Sequence, residues 1–70
     1  MSLFRAEPGH VRKVKNVSGS EKVKKFLFTL GCSEGEEITL ISVLAGNYII
    51  SLKDCRYAID KNMAQAIELV

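Results

Sequence analysis

The side chains best suited to chemistry are one histidine and two cysteines, His10, Cys32 and Cys55. A nucleophilic thiol needs a base within hydrogen-bond reach and a third group that orients the base, and the spacing of these residues supports no such set. Zinc sites usually show paired ligands at short spacing, whereas these three residues stand singly. We therefore expect a non-catalytic protein without a cofactor, in which His10, Cys32 and Cys55 are only weak metal-ligand candidates.

Basic residues are concentrated in the first part of the chain. Residues 1–25 carry a net charge of +5, whereas residues 26–70 carry −3. Such a cluster is either a docking surface for an acidic partner or an ordinary solvated face. If it is a docking surface, the expected contacts are its bases in and before the predicted helix, Arg12, Lys13, Lys22, Lys24 and Lys25.

Other binding classes lack their usual residues. The chain has no P-loop motif, because no glycine is followed by Lys-Ser or Lys-Thr. Stacking on nucleic-acid bases needs aromatic side chains among the basic ones, and the basic half offers only Phe4, Phe26 and Phe28. We expect no direct contact with nucleic acid, so a protein-interaction module is the largest remaining class.

One stretch, residues 18–35, has a clear helical period. Val23, Phe26, Leu27 and Leu30 recur at i, i+3, i+4 and i+7, which places them on one face of an α-helix. Phe28 lies off this stripe, and we interpret it as part of a wide buried face. A helix of about three turns is marginal alone, so it must dock on the strands around it.

The ends of this helix carry recognisable signals. Ser18 or Ser20 can accept a hydrogen bond from the unpaired amides of the first turn. Gly31 follows the last apolar position, where a left-handed residue commonly ends a helix.

The remaining segments alternate or are continuously apolar, as strands do. Valines at positions 11, 14 and 17 recur every third residue, so the first strand needs a bulge to turn all three inward. A short helical turn at 60–64 is expected with Asp60 as its cap. The predicted strands are 10–17, 36–44, 48–53, 56–59 and 65–70.

These elements predict a mainly β protein with one α-helix between the first and second of five to six short strands. Closing the strands would remove exposed edges, so we expect a small, partly closed barrel. Residues 1–8 are interpreted as an arm, from which Leu3 and Phe4 dock on the body, and residues 9–70 as the domain. No apolar run approaches the length of a membrane span and no signal peptide is present, which favours a cytoplasmic protein.

The order of small motifs resembles one family. The pattern Leu27-x-x-Leu30-Gly31-Cys32-x-x-Gly35 is followed by apolar strand positions, then by Tyr57-Ala58-Ile59 and by Met63-Ala64-x-x-Ile67-x-Leu69. Over residues 9–70 this series is similar to FeoA, the small cytoplasmic partner of the ferrous-iron transporter FeoB. Cys32 and Glu34 depart from it, where the family often has a larger aliphatic residue and a proline.

The resemblance implies an SH3-like barrel that binds the cytoplasmic GTP-binding domain of FeoB and supports or regulates Fe²⁺ uptake. It implies peripheral association with the membrane, only through that partner, and no catalytic residues. Two alternatives stay open. One is an accessory domain that works with an iron-dependent transcriptional repressor, and the other is a small metal carrier that uses His10 and the cysteines.

Overall fold

The computed structural model describes all 70 residues, 1–70. Five strands and two α-helices follow a short 3₁₀ helix, and most bounds lie within two residues of the predicted ones. In chain order the elements are the 3₁₀ helix Leu3–Arg5, β1 Val11–Val17, α1 Glu21–Thr29, β2 Glu37–Leu44, β3 Asn47–Leu52, β4 Cys55–Ile59, α2 Lys61–Ala66 and β5 Ile67–Leu69.

All five strands belong to one antiparallel sheet in the order β4-β3-β2-β1-β5. The mainly β architecture and the position of the main helix between the first two strands are confirmed. The sheet stays open, however, because β4 and β5 lie at opposite edges and the short helix α2 connects them. The expected turn at 60–64 extends into this six-residue helix, and Asp60 caps it by accepting a hydrogen bond from the Met63 amide at 2.8 Å.

Helix α1 begins and ends on the signals in its sequence. Of the two candidate serines, Ser20 is the cap, and its hydroxyl accepts a hydrogen bond from the Val23 amide at 3.2 Å. At the other end, Gly31 adopts a φ of +92°. Its amide donates to the Phe28 carbonyl at 2.9 Å, and the Cys32 amide donates to the Leu27 carbonyl at 3.0 Å. This paired pattern is a Schellman motif, which stops the helix and turns Cys32 back toward the core.

The core-facing side of α1 is narrower than the sequence predicts. Leu27 is fully buried and Val23 and Leu30 pack against the core, but Phe26 is 44% exposed and Phe28 is 71% exposed. The expectation of a wide buried face is therefore wrong for both phenylalanines. The physical reason is competition for space, because the 3₁₀ helix and α2 also contribute buried side chains to the core that α1 covers.

Strand β1 contains the expected irregularity. Its register with β5 shifts between Val14 and Asn16, as in a β-bulge. Val14 is buried and Val17 is half-buried, but Val11 is 62% exposed. The expectation that all three valines turn inward is wrong for Val11. Residues three apart on a regular strand face opposite sides of the sheet. The bulge after Val14 brings Val17 to the same side as Val14, but no bulge lies between Val11 and Val14.

The N-terminal segment contributes to the core. Leu3 is fully buried, and the Phe4 ring lies 5.9 Å from the ring of Tyr48. Both side chains dock on the body, as expected. The boundary between an arm at 1–8 and a domain at 9–70 stays a prediction.

Two tight hairpins connect β2 to β3 and β3 to β4. Ala45 and Gly46 have φ of 51° and 80°, and Lys53 and Asp54 have φ of 51° and 65°. Positive φ at both central residues is typical of a two-residue type I′ hairpin. The second turn therefore lies one residue earlier than predicted, and Cys55 begins β4. None of the helices is long and apolar enough to span a membrane.

Candidate functional site

A groove of about 690 Å³ runs between α1, the end of β1 and the connection that follows α1. We call it the α1 groove. It exists because the bulge in β1 and the turn at Gly31 bring three separate segments alongside one exposed face of the helix. Its lining residues are Asn16, Val17, Lys24, Lys25, Phe28, Thr29, Cys32, Ser33 and Glu34.

The α1 groove combines an exposed aromatic ring with positive charge. Lys24 precedes Phe28 by one helical turn, so the two side chains are neighbours on the helix surface. Lys25 has no ion pair, whereas Lys24 lies 3.8 Å from the carboxylate of Glu21. A ring that remains mostly in water costs free energy in the isolated protein, and its contact with a partner would remove that cost.

Cys32 contributes an apolar surface to the groove. Its side chain is buried, and this burial, followed by the negative charge of Glu36, raises the pKa of the thiol to about 11. At neutral pH the thiol is therefore protonated, and the thiolate that nucleophilic chemistry requires is scarce. The two cysteines differ in burial, because Cys32 lies in the core while Cys55 is exposed on the edge strand β4.

The structure separates the five predicted contact residues. Lys24 and Lys25 line the α1 groove, whereas Lys22 is exposed on α1 outside it. Arg12 donates a hydrogen bond from Nη2 to the carbonyl oxygen of Val70 at 2.9 Å. Lys13 lines a different depression, of about 530 Å³, that also contains carboxylates and a second lysine. Two of the five bases thus share one concave surface.

The three metal-ligand candidates occupy different places. His10 is exposed, with Nε2 3.9 Å from the carboxylate of Glu7. Cys32 is buried under the α1 groove and Cys55 begins the edge strand β4. Within residues 1–70 no group of three or more histidine, cysteine, aspartate or glutamate side chains could hold a metal ion.

Sequence reasoning missed the exposed aromatic residue of the groove. Phe28 lies off the apolar stripe, and that position was itself the signal of exposure, because a side chain outside the docking stripe of a short helix faces water. The contribution of Asn16 and Ser33 depends on how β1 and the connection after α1 approach the helix, which no local pattern encodes.

Comparison with known proteins identifies the family to which this sheet and groove belong. The FeoA domain family matches residues 1–70. The chain belongs to the FeoA family. It is thus a ferrous iron transport-related domain with an SH3-like fold. Among curated proteins, no significant match was found.

Solved structures agree with this FeoA assignment. An iron uptake regulatory protein, FeoA, is 28% identical, with a TM-score of 0.89 over 99% of this chain and 92% of that chain. A zinc-complexed FeoA from Stenotrophomonas maltophilia, described as a prokaryotic SH3 domain protein, is 17% identical, with a TM-score of 0.88 over 100% of this chain and 89% of that chain.

The same fold occurs inside a larger class of proteins. A manganese-dependent transcriptional repressor is 18% identical, with a TM-score of 0.91 over 100% of this chain but only 40% of that chain. At this identity the likeness concerns the fold alone. It indicates that the FeoA fold also serves as one part of longer regulatory chains.

Proposed function

We propose that this FeoA domain is a non-catalytic cytoplasmic module that binds the cytoplasmic GTP-binding domain of a FeoB-type transporter and thereby supports or regulates Fe²⁺ uptake. The observation that carries the proposal is the family match over the whole chain. The α1 groove supports an interaction role, because it combines an exposed aromatic side chain with two lysines.

The α1 groove is the contact surface that we assign to this interaction. Phe28 is exposed on a concave surface, and a buried aromatic side chain in the middle of a contact is the usual source of binding energy. Lys24 and Lys25 favour an acidic segment on the partner, because opposite charges steer encounter and fix orientation. The fitting occupant is therefore a segment of the GTP-binding domain that carries acidic residues beside an apolar one.

A binding titration against the purified cytoplasmic domain of the cognate transporter tests the function. It is run without nucleotide, with GDP and with a non-hydrolysable GTP analogue, at low and moderate salt. Binding in at least one nucleotide state supports the proposal. No binding in any state at low salt refutes it.

A charge reversal tests the surface separately from the function. The Lys24→Glu, Lys25→Glu double variant replaces two attractions by two repulsions, so we expect binding at low salt to weaken roughly tenfold or more. The matched control is the Arg5→Glu, Lys15→Glu double variant, which makes the same change in net charge at exposed positions that do not line the groove. If the wild type binds and the double variant binds equally well, the α1 groove is excluded while the function stands.

A second candidate is an accessory domain for a metal-dependent repressor. The TM-score of 0.91 to part of a manganese-dependent repressor favours it. The same titration with the remaining part of such a repressor distinguishes the two, because only one of the two partners is expected to bind.

A further inference from the structure

One edge of the sheet is covered by another segment of the chain and the other edge is not. At the β5 edge, Ser2 forms a bridge with Glu68, and the Leu69 amide donates to the Met1 carbonyl at 2.7 Å. The N-terminal residues therefore cover this edge. At the other edge, β4 pairs with β3 alone. An uncovered strand edge is a template for pairing with another chain.

The hairpin geometry determines which groups of β4 point outward. In a two-residue hairpin the residues that flank the turn, here Leu52 and Cys55, exchange hydrogen bonds, and this arrangement alternates along the strand. The backbone groups of Arg56 and Ala58 consequently point away from β3. Neither residue makes a backbone hydrogen bond to a turn, loop or cap elsewhere in the chain.

The β4 edge also lacks two of the features that usually block pairing, a bulge and a proline. The register between β3 and β4 is regular from Cys55 to Ile59, with no bulge. The strand contains no proline, and Ala58, one of its exposed residues, has a small side chain. One charged residue, Arg56, lies on it, so the choice of partner depends on what faces that charge.

We propose that the β4 edge pairs antiparallel with the β4 edge of a second copy of this chain. Three symmetric registers bring the outward groups together. Two of these registers place like charges opposite each other, which is destabilising. Pairing Arg56 with Arg56 does so for the two arginines, and pairing Arg56 with Ala58 does so for Asp54 and Asp60. Setting Ala58 opposite Ala58 places Arg56 of each copy opposite Asp60 of the other. Charge complementarity therefore selects the Ala58-centred register.

The residues around this register are compatible with it. Asp60 has extended backbone, and its Oδ1 accepts the helix-capping bond of α2, which leaves Oδ2 for Arg56 of the second copy. On the other face of the strand, half-buried Tyr57 lies opposite Ile59 of the second copy and gains apolar cover. None of the residues that line the α1 groove belongs to β4, so the pairing and the groove use different residues.

Sedimentation velocity over about 10 µM to about 1 mM at low salt tests the pairing, because so short an edge supports only a weak dimer. We expect the sedimentation coefficient of the wild type to rise with concentration. Ala58→Pro removes an outward amide that makes no bond within the chain, so it should leave the fold intact and lower dimer affinity about tenfold or more. Ala58→Thr keeps the amide and is the matched control.

Charge variants test the register. Arg56→Glu places two carboxylates opposite each other at both ends of the contact and should abolish dimerisation, whereas Arg5→Glu makes the same change in charge elsewhere and should not. A wild type that stays monomeric to about 1 mM overturns the proposal. So does a dimer that Ala58→Pro or Arg56→Glu leaves unchanged, because it would use another face.

Hydrogen exchange of the wild type provides a test without variants. The Arg56 and Ala58 amides should exchange several-fold more slowly at high than at low protein concentration, and equal rates refute the pairing. This inference does not depend on the proposed function. A variant that loses transporter binding but still dimerises, or one that loses dimerisation but still binds the transporter, would show that the two properties are independent.

Discussion

Replacing Phe28 by alanine should weaken partner binding while leaving the fold almost unchanged. Its neighbour Leu27 is the internal contrast, because the two residues are adjacent on α1 but 71% and 0% exposed, respectively. Truncating a residue that packs the core lowers stability, whereas truncating an exposed residue that binds a partner lowers affinity. Leu27 and Phe28 allow this comparison within one helix.

The magnitudes follow from burial. Fully burying a phenylalanine side chain contributes about 1.5–3 kcal/mol, and Phe28 is less than one-third buried, so its truncation should cost roughly 0.5–1 kcal/mol. The better helix propensity of alanine offsets about half a kcal/mol of that loss. Leu27→Ala empties a fully buried position and should cost about 2–5 kcal/mol. A domain of this size has roughly 4–10 kcal/mol of stability in total.

Thermal unfolding and a binding titration read out the two effects. In a domain of this size each kcal/mol shifts Tm by about 4–8 °C, so Phe28→Ala should move Tm by no more than about 4 °C and Leu27→Ala should lower it by at least about 8 °C. Binding to the transporter's cytoplasmic domain should fall about tenfold or more in Phe28→Ala. A large loss of Tm in Phe28→Ala, or unchanged affinity, would refute the assignment of this ring to the contact surface.

Three further outcomes are expected. At pH 8, iodoacetamide should modify Cys55 before Cys32. A thiol pKa of about 11 instead of 9.0 lowers the thiolate fraction of Cys32 about a hundredfold. Peptide mapping by mass spectrometry checks this, and equal labelling of both cysteines before denaturant is added would contradict it. Gly31→Ala should lower the free energy of unfolding by about 1 kcal/mol or more, because the φ of Gly31 is +92° and a Cβ would lie 2.9 Å from side-chain carbons of Lys53. Urea titration measures this loss. An unchanged midpoint would argue against the left-handed turn at the end of α1. Asp60→Ala should cost about 1 kcal/mol in the same assay while Asp60→Asn costs little, and equal losses would show that capping is not the cause.

Much of the fold was predictable because its signals are local. The cap at Ser20, the left-handed Gly31 and the alternation of β2 and β3 depend on neighbours a few residues away. The same is true of the bulge in β1, which the spacing of its valines requires. The position of α1 between the first two strands follows from these signals.

The rest depends on how the elements share the core. Nothing near Phe26 in the sequence reveals that the 3₁₀ helix and α2 also contribute buried side chains to the core. An apolar residue on a helix is ordinarily assigned to the core, so the exposure of Phe28 was missed. The grouping of Lys24 and Lys25 without Lys13 likewise depends on the relative placement of α1 and β1.

The position of β1 in the sheet has a consequence for synthesis on the ribosome. β1 lies between β2 and β5, so the earliest strand of the chain requires the latest one as its second neighbour. Until residues 67–69 have emerged, one side of β1 lacks its hydrogen-bond partners and Leu3 lacks part of its packing surface. We therefore expect the nascent domain to remain susceptible to protease until the last strand has been translated, and then to become resistant in a single step.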